Sequence, residues 1–202
     1  MGKLKTPLLI IFGILLLDQA LKIWVKTTMM LGDDIPVFGD WFYIHFVENN
    51  GMAFGMELGG DWGKIALSLF RIVAVFGIGW YLYKLSCQEA HKGLIISISM
   101  VLAGALGNIL DSAFYGMIFD HSYSQVASLF PGEGGYSSFL HGRVVDMFYF
   151  PLLSGNYPDW LPFVGGQDFV FFRPVFNVAD SSITLGILSI LIFQKQFFKE
   201  ED

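Results

Sequence analysis

The stretch FNVAD at residues 176–180 decides how this chain is read, because Asp180 stands at the edge between a polar, aromatic loop and the last long apolar run. An acid at such a boundary is costly unless the structure has a use for it. Earlier, GRVVDM at residues 142–147 sets a second aspartate, Asp146, between a loop and apolar, aromatic sequence. The two read as a pair that the other segments hold at a membrane surface.

Composition fixes the solvent. The 202 residues leave room for one domain, and 54% are hydrophobic, with a mean hydropathy of +0.56, beyond what a soluble domain carries. Only 15% are charged, while 17% are aromatic and 21 are Phe, which suits lipid-facing surfaces with aromatic side chains at the interfaces. A net charge of -6 offers no basic field, so nucleic acid is excluded as a partner. The single cysteine, Cys87, has no disulfide partner and reads as an inert thiol in a short loop.

Four spans follow from the apolar runs, at about 7–25, 63–83, 92–115 and 179–198. The first carries Asp18, Gln19 and Lys22 and no small-x-small site after it, so it reads as a retained helix rather than a cleaved signal peptide. Lys3, Lys5, Lys84, Lys92, Lys195 and Lys199 share one side if both termini are cytoplasmic, with Lys26 alone opposite them; this sets the orientation. The connections 26–62 and 116–178 then face outward. In that topology Asp18, Lys22, Asn108, Asp111 and Asp180 all lie near the outer surface and converge on one site.

In the first outer connection, WFYIHFV at 41–47 followed by Asn49, Asn50 and Gly51 predicts a short hairpin, with Met52 to Met56 as its return. In the second, a Gly/Ser-rich patch precedes an aromatic stretch from Phe148 to Phe172, which Pro151, Pro158 and Pro162 break too often for a span. It reads as loop and interfacial structure.

The third span sets Gly104, Gly107, Asn108 and Asp111 at spacings of three and four, on one helix face. Close helix packing explains the glycines but not the Asn and Asp, and an intramembrane acid points to function. Asp18 and Lys22, at i and i+4, read either as a local ion pair or as site-orienting groups. Asn177 and Asp180 have the spacing of a helix N-cap, where the helix end favours the ionised acid. Two carboxylates brought close do not both ionise easily, so one keeps a proton while the other acts as base. Such a pair activates water and protonates a carbonyl, which is what peptide hydrolysis needs without a nucleophilic side chain or a metal. Arg71 is expected to pair with an acid or carbonyl inside the bundle. His45, His91, His121 and His141 show no metal-ligand spacing, although His141 lies close to Asp146 in sequence.

Taken together, LDQALK, NNGMAF, GALGNILD, VVD and FNVAD, in this order and from Asp18 to Asp180, resemble the lipoprotein signal peptidase, or signal peptidase II, family. The resemblance implies an all-α integral membrane protein that is a single domain over 1–202, with four transmembrane helices. A small outer β-cradle over 26–62 and an enlarged outer loop over 116–178, between helices three and four, complete it. It further implies an aspartic endopeptidase of the bacterial inner membrane, multi-pass, with its active site near the periplasmic face. Its substrate is a prolipoprotein carrying a diacylglyceryl cysteine, cut just before that lipobox cysteine. Asp146 and Asp180 match the catalytic pair; Asp18, Lys22, Asn49, Gly104, Asn108, Asp111, Asn177 and Ala179 match positions that line or support the site. No cofactor and no metal are implied, membrane lipid is the surroundings, and a monomer is the expected state.

Two departures stand out. Ser112 occupies the place where the family usually has Arg, and Arg143 is the candidate to supply a charge nearby. GMIFD at 116–120 has the family's usual spacing after helix three, whereas GRVVD has the better residues but lies beyond an insertion at about 112–141. Asp120 is therefore a rival to Asp146, which is preferred for its Val-Val-Asp match and the aromatic sequence behind it. The readings outside the enzyme class are a proton-coupled transporter, which should place its ionisable groups near the midplane with repeated or broken helices, and a membrane scaffold, which has no use for two such aspartates.

Overall fold

The computed structural model describes residues 2–50, 60–171 and 173–199. Helix α1 (Lys5–Thr28) turns Leu8, Leu9, Phe12, Leu16 and Leu17 outward and buries Asp18, Lys22 and Lys26 on its other face. Helix α2 (Gly60–Cys87) exposes Phe70, Val73, Phe76 and Trp80. Such side chains are stable outward only against lipid. Helix α3 (Lys92–Leu110) is the centre of the bundle and packs against α1, α2 and a last apolar helix, α5 (Val178–Ile192).

The end of α3 is irregular. One π-helical turn, Asp111–Tyr115, joins it to the short α4 (Gly116–Ile118), so the helical path runs from Lys92 to Ile118. Such turns re-aim side chains and gather at functional sites; this one starts at Asp111.

Among the described residues three helices, α1, α2 from Ile65 and the path through α3 and α4, are long and apolar enough to cross a membrane. Helix α5 is 15 residues, about 22 Å at the α-helical rise. The continuous fourth helix expected over 179–198 is instead interrupted at Phe193, before the short α6 (Gln194–Phe197).

The two long connections, 26–62 and 116–178, build more sheet than expected. Strands β1 (Asp34–Phe38), β2 (Phe42–Asn49), β3 (Val144–Tyr149) and β6 (Val175–Phe176) form a four-stranded sheet in the order β1-β2-β3-β6, all antiparallel. The expected turn at Asn49–Gly51 runs beyond the described residues after Asn50, and the hairpin that β2 forms within them is a different one. The return strand precedes β2, and the chain reverses at Gly39, whose φ of +49° falls in the left-handed region that glycine tolerates. The far edge of β2 is taken by β3, so Asn49 pairs with Val144. Residues 52–56, the expected return, lie outside the described residues. Strands β4 (Leu153–Asn156) and β5 (Asp168–Phe171) make a separate two-stranded hairpin between β3 and β6.

Alternation along β3 decides what the sheet does. Val145 and Met147 point into a core with Val25, Met29, Phe46, Tyr115 and Phe119, leaving Asp146 on the opposite face. The aspartate is thereby turned toward the helix ends.

Candidate active site

The acids expected to converge do converge, through a network centred on Lys22. Its ammonium lies 2.9 Å from Asp18 Oδ2 and 2.8 Å from Asp111 Oδ2, and it donates to Asn108 Oδ1 at 3.0 Å. All three charged side chains are at most 1% exposed. The i, i+4 pair of Asp18 and Lys22 is therefore more than local, since Lys22 bridges α1 to α3 as well.

Each acid also fixes backbone. Asp18 Oδ1 accepts from Ala179 N at 2.9 Å, which docks the first turn of α5 on α1. Asp111 Oδ2 accepts from Val145 N at 3.2 Å, which ties β3 to the end of α3. Gly104 completes the arrangement, since a Cβ there would meet the carbonyl oxygen of Ala179 at 2.2 Å.

From Asn108 the network reaches the two aspartates. Asn108 Nδ2 donates to Asp180 Oδ1 at 2.7 Å. Asn177 caps α5 by accepting from Asp180 N at 2.8 Å, and its Nδ2 donates to Asp146 Oδ1 at 2.7 Å, to Val145 O at 3.2 Å and to Asn108 Oδ1 at 3.2 Å. Asn49 Nδ2 donates to the other oxygen of Asp146, Oδ2. Burial and, next, the charge of Asp180 push the Asp146 carboxyl up to about 8. This environment favours one proton on Asp146 beside Asp180. Asp180 also faces Arg71 of α2, whose guanidinium feels its charge.

All ten residues singled out in the sequence thus meet at one end of the bundle. The rival Asp120 does not join them; its Oδ1 accepts from Ser128 N at 2.7 Å inside the insertion. Arg143 does not stand in at Ser112 either. It pairs with Glu48 at 3.3 Å, while Asp111 has Lys22 as its counter-ion and Ser112 Oγ donates to Asn108 O at 3.1 Å. His141 bonds Ser138 and Phe139. Among the described residues no group of three His, Cys, Asp or Glu side chains is arranged to hold a metal.

Sequence reasoning missed Gln19 and Tyr115 as working parts of the network. Gln19 Nε2 donates to Asp111 Oδ1 at 2.9 Å and Asp18 Oδ2 at 3.1 Å, and Tyr115 OH donates to Gln19 Oε1 at 3.2 Å. Gln19 was visible only as a letter of the LDQALK motif, and Tyr115, at the close of an apolar span, carried no signal at all.

Comparison with known proteins places the chain in a family. The chain is 54% identical to a lipoprotein signal peptidase of Porphyromonas gingivalis over 192 residues, 95% of this chain and 82% of that one. It is 37% identical to the lipoprotein signal peptidase of Amoebophilus asiaticus over 188 residues, covering 90% and 75% of the two chains. A bacterial membrane enzyme solved by the in meso method at 2.3 Å resolution shares the fold with a TM-score of 0.63 and 25% identity, across 98% of this chain and 93% of that one. Since the model of the signal peptidase (SPase) II family also matches residues 10–196, the chain belongs to the signal peptidase II family.

Proposed function

We propose that Asp146 and Asp180 are the catalytic pair with which this enzyme cleaves the signal peptide of prolipoproteins. Membership of the family carries the activity, signal peptide cleavage by an aspartic peptidase; the pair is our reading. One observation supports it above the rest. A single buried side chain, Asn177, accepts from the backbone of Asp180 and donates to the carboxylate of Asp146, which sets the two acids in fixed register.

The chemistry follows from their unequal surroundings. Asp180 lies in the first turn of α5, where the helix end favours an anion, and serves as the base that takes a proton from the attacking water. Asp146, protonated because it is buried beside that anion, gives its proton to the scissile carbonyl oxygen as the water oxygen bonds to the carbonyl carbon. Collapse of the tetrahedral intermediate breaks the C–N bond as the proton held by Asp180 passes to the leaving amine and one hydroxyl of the intermediate returns its proton to Asp146, which restores the starting pair.

The finer assignments belong to the same reading. The substrate is cut just before a lipobox cysteine bearing a diacylglyceryl group, which holds the bond at bilayer depth beside the pair. The chain is one domain and a monomer in the bacterial inner membrane, with α5 and α6 together as a fourth span, both termini cytoplasmic and the sheet at the periplasmic face. Asn49, Gly104, Asn108, Asp111, Asn177, Ala179, Asp18 and Lys22 support the pair.

The test is cleavage of a diacylglyceryl-modified prolipoprotein by purified Asp146→Asn, Asp180→Asn and Asp120→Asn. The first two are expected to be inactive and the third active. An active Asp146→Asn with an inactive Asp120→Asn would transfer the role to Asp120, and three active variants would end the dyad reading.

A further inference from the structure

Behind β2, on the face away from Asp146, lies a second buried charge cluster that the peptidase chemistry does not use. Lys26, fully buried at the end of α1, pairs with Glu48 Oε1 and donates to Ser122 Oγ at 2.8 Å. Ser122 Oγ donates to Glu48 Oε1 at 3.2 Å, and Arg143 Nη1 meets Glu48 Oε2 at 3.3 Å. The Lys26 ammonium stands over the rings of Tyr136, Phe119 and Phe46, 5.0, 5.4 and 5.9 Å from their centroids. The Glu48 side chain is 1% exposed.

The insertion builds this enclosure. Ser122, Tyr136 and the Phe119 ring all come from 112–141, and its backbone is laced to the end of α1 by Leu31 N to Ser122 O and Ala127 N to Lys26 O. Tyr136 OH accepts from Arg143 N at 2.7 Å, so the same insertion fixes the start of β3.

Position in the strand gives the cluster its consequence. Glu48 pairs with Val145, and Asn49, the next residue of β2, pairs with Val144 and reaches Asp146 from the opposite face. Between Ile44 and Val47 the β2–β3 register is irregular, so the pairing upstream does not by itself fix the pairing at the site. A one-residue slip exchanges the two faces. It would bring the Glu48 carboxylate to Asp146 and leave Asn49 facing Lys26.

We infer that Glu48 is a positioning residue for the peptidase reaction: clamped by Lys26, Ser122 and Arg143, it pins the β2–β3 register that presents Asn49 to Asp146. The insertion, on this account, is the back wall of the active site. The inference rests on the dyad reading, and its test separates the two.

Asn49 donates to the Asp146 carboxylate and so favours its ionised form; losing that bond makes Asp146 hold its proton to higher pH. The other groups acting on Asp146 are Asp180 from α5, Lys22 from α1 and Asp111 from the end of α3, none of which the test alters. The experiment measures kcat, KM and the alkaline limb of the pH–rate profile for purified full-length Glu48→Gln, Lys26→Met/Glu48→Gln, Asn49→Ala and the triple variant. The double variant removes both buried charges together, which folded proteins tolerate far better than loss of one, and it carries the test should Glu48→Gln not fold.

Expected are a kcat lowered roughly tenfold to a hundredfold, an almost unchanged KM, and an alkaline limb displaced upward in the double variant as in Asn49→Ala. The triple variant should move it no further. The charge left on Arg143 would displace the limb downward, so an upward movement reports the lost bond and not a change of field. A double variant whose limb stays in place while that of Asn49→Ala moves overturns the role of Glu48. An active Asp146→Asn overturns the dyad instead.

Discussion

Gly104→Ala tests how closely α5 must approach α3 for the pair to work. The added Cβ would lie 2.2 Å from Ala179 O, 2.7 Å from Ile183 Cγ1 and 3.1 Å from the Ala179 carbonyl carbon. A carbon–oxygen contact settles near about 3.3 Å, so the start of α5 must retreat by roughly 1 Å. That turn is held by Ala179 N on Asp18 Oδ1 at 2.9 Å and by Asn108 Nδ2 on Asp180 Oδ1 at 2.7 Å. Lengthened by about 1 Å, both pass the distance at which a hydrogen bond survives. Overpacking and two weakened buried bonds cost roughly 2–5 kcal/mol in all, and misplacing Asp180 by that distance costs about a hundredfold in rate. The assay is initial-rate cleavage of a prolipoprotein alongside thermal unfolding, with Gly186→Ala as comparison. A Cβ at Gly186 is also crowded, 2.7 Å from Ser97 O and 2.8 Å from Val101 Cγ2, but those contacts lie farther along α3 from the aspartates. It should lose stability with much less loss of rate. Wild-type rate and unfolding temperature in Gly104→Ala, or equal rate losses in both variants, would refute the reasoning.

Lys22→Met should destabilise the protein by about 3–5 kcal/mol at neutral pH, because Asp18 and Asp111 stay buried without their cation; adding Asp111→Asn should recover part of that loss in thermal unfolding, and no recovery would count against the network. Asp146 makes a prediction of opposite kind. Its usual value is 3.8 and burial raises it to about 8, so from about pH 4 to about pH 8 the folded state holds a proton that the unfolded chain has released, and stability falls as pH rises through that window and levels off above it. Asp146→Asn should flatten this slope and be the more stable protein at pH about 8, although inactive; denaturant midpoints at several pH values would expose a wild-type slope of the wrong sign.

Lipid as the solvent, the three long apolar helices and the end of the bundle at which the acids gather were legible in the sequence, since each depends on local composition and on i, i+4 geometry. Asp18, Lys22, Asn108, Asp111, Asn177 and Asp180 could be placed together because a helix carries its residues at a known rise and angle. The sheet was less legible. Strand β2 announced itself by WFYIHFV, but its partner β3, and β6 on the far edge of β3, come from the far side of α2 and α3, and no local pattern encodes a pairing across that separation. Nor could the turn signal at Asn49–Gly51 show that Asn49 is an amide donor to Asp146, because Asn suits both turns and buried amide sites and only the position of Asp146 reveals the bond. Lys26 looked like an exception to the orientation rule because its partner, Glu48, reaches it only once the sheet forms.

Lys26 also explains how α1 can be apolar and yet so specific. Asp18, Lys22 and Lys26 recur every four residues and share one buried stripe, while Leu8, Phe12 and Leu16 face outward. Buried ion pairs of this kind add little net stability, because desolvation offsets most of the attraction. Their effect is on the alternatives, since rotating or sliding α1 by one residue would strand three charges in an apolar medium. Lys22 fixes α1 against α3, and Asp18 fixes it against α5; Lys26 fixes it against β2 and the insertion. Asn49 reaches Asp146 from the strand, and Asn108 reaches Asp180 from the helix. The two aspartates are therefore supported by separate elements that have α1 in common, and the angular setting of that one helix governs their relative position.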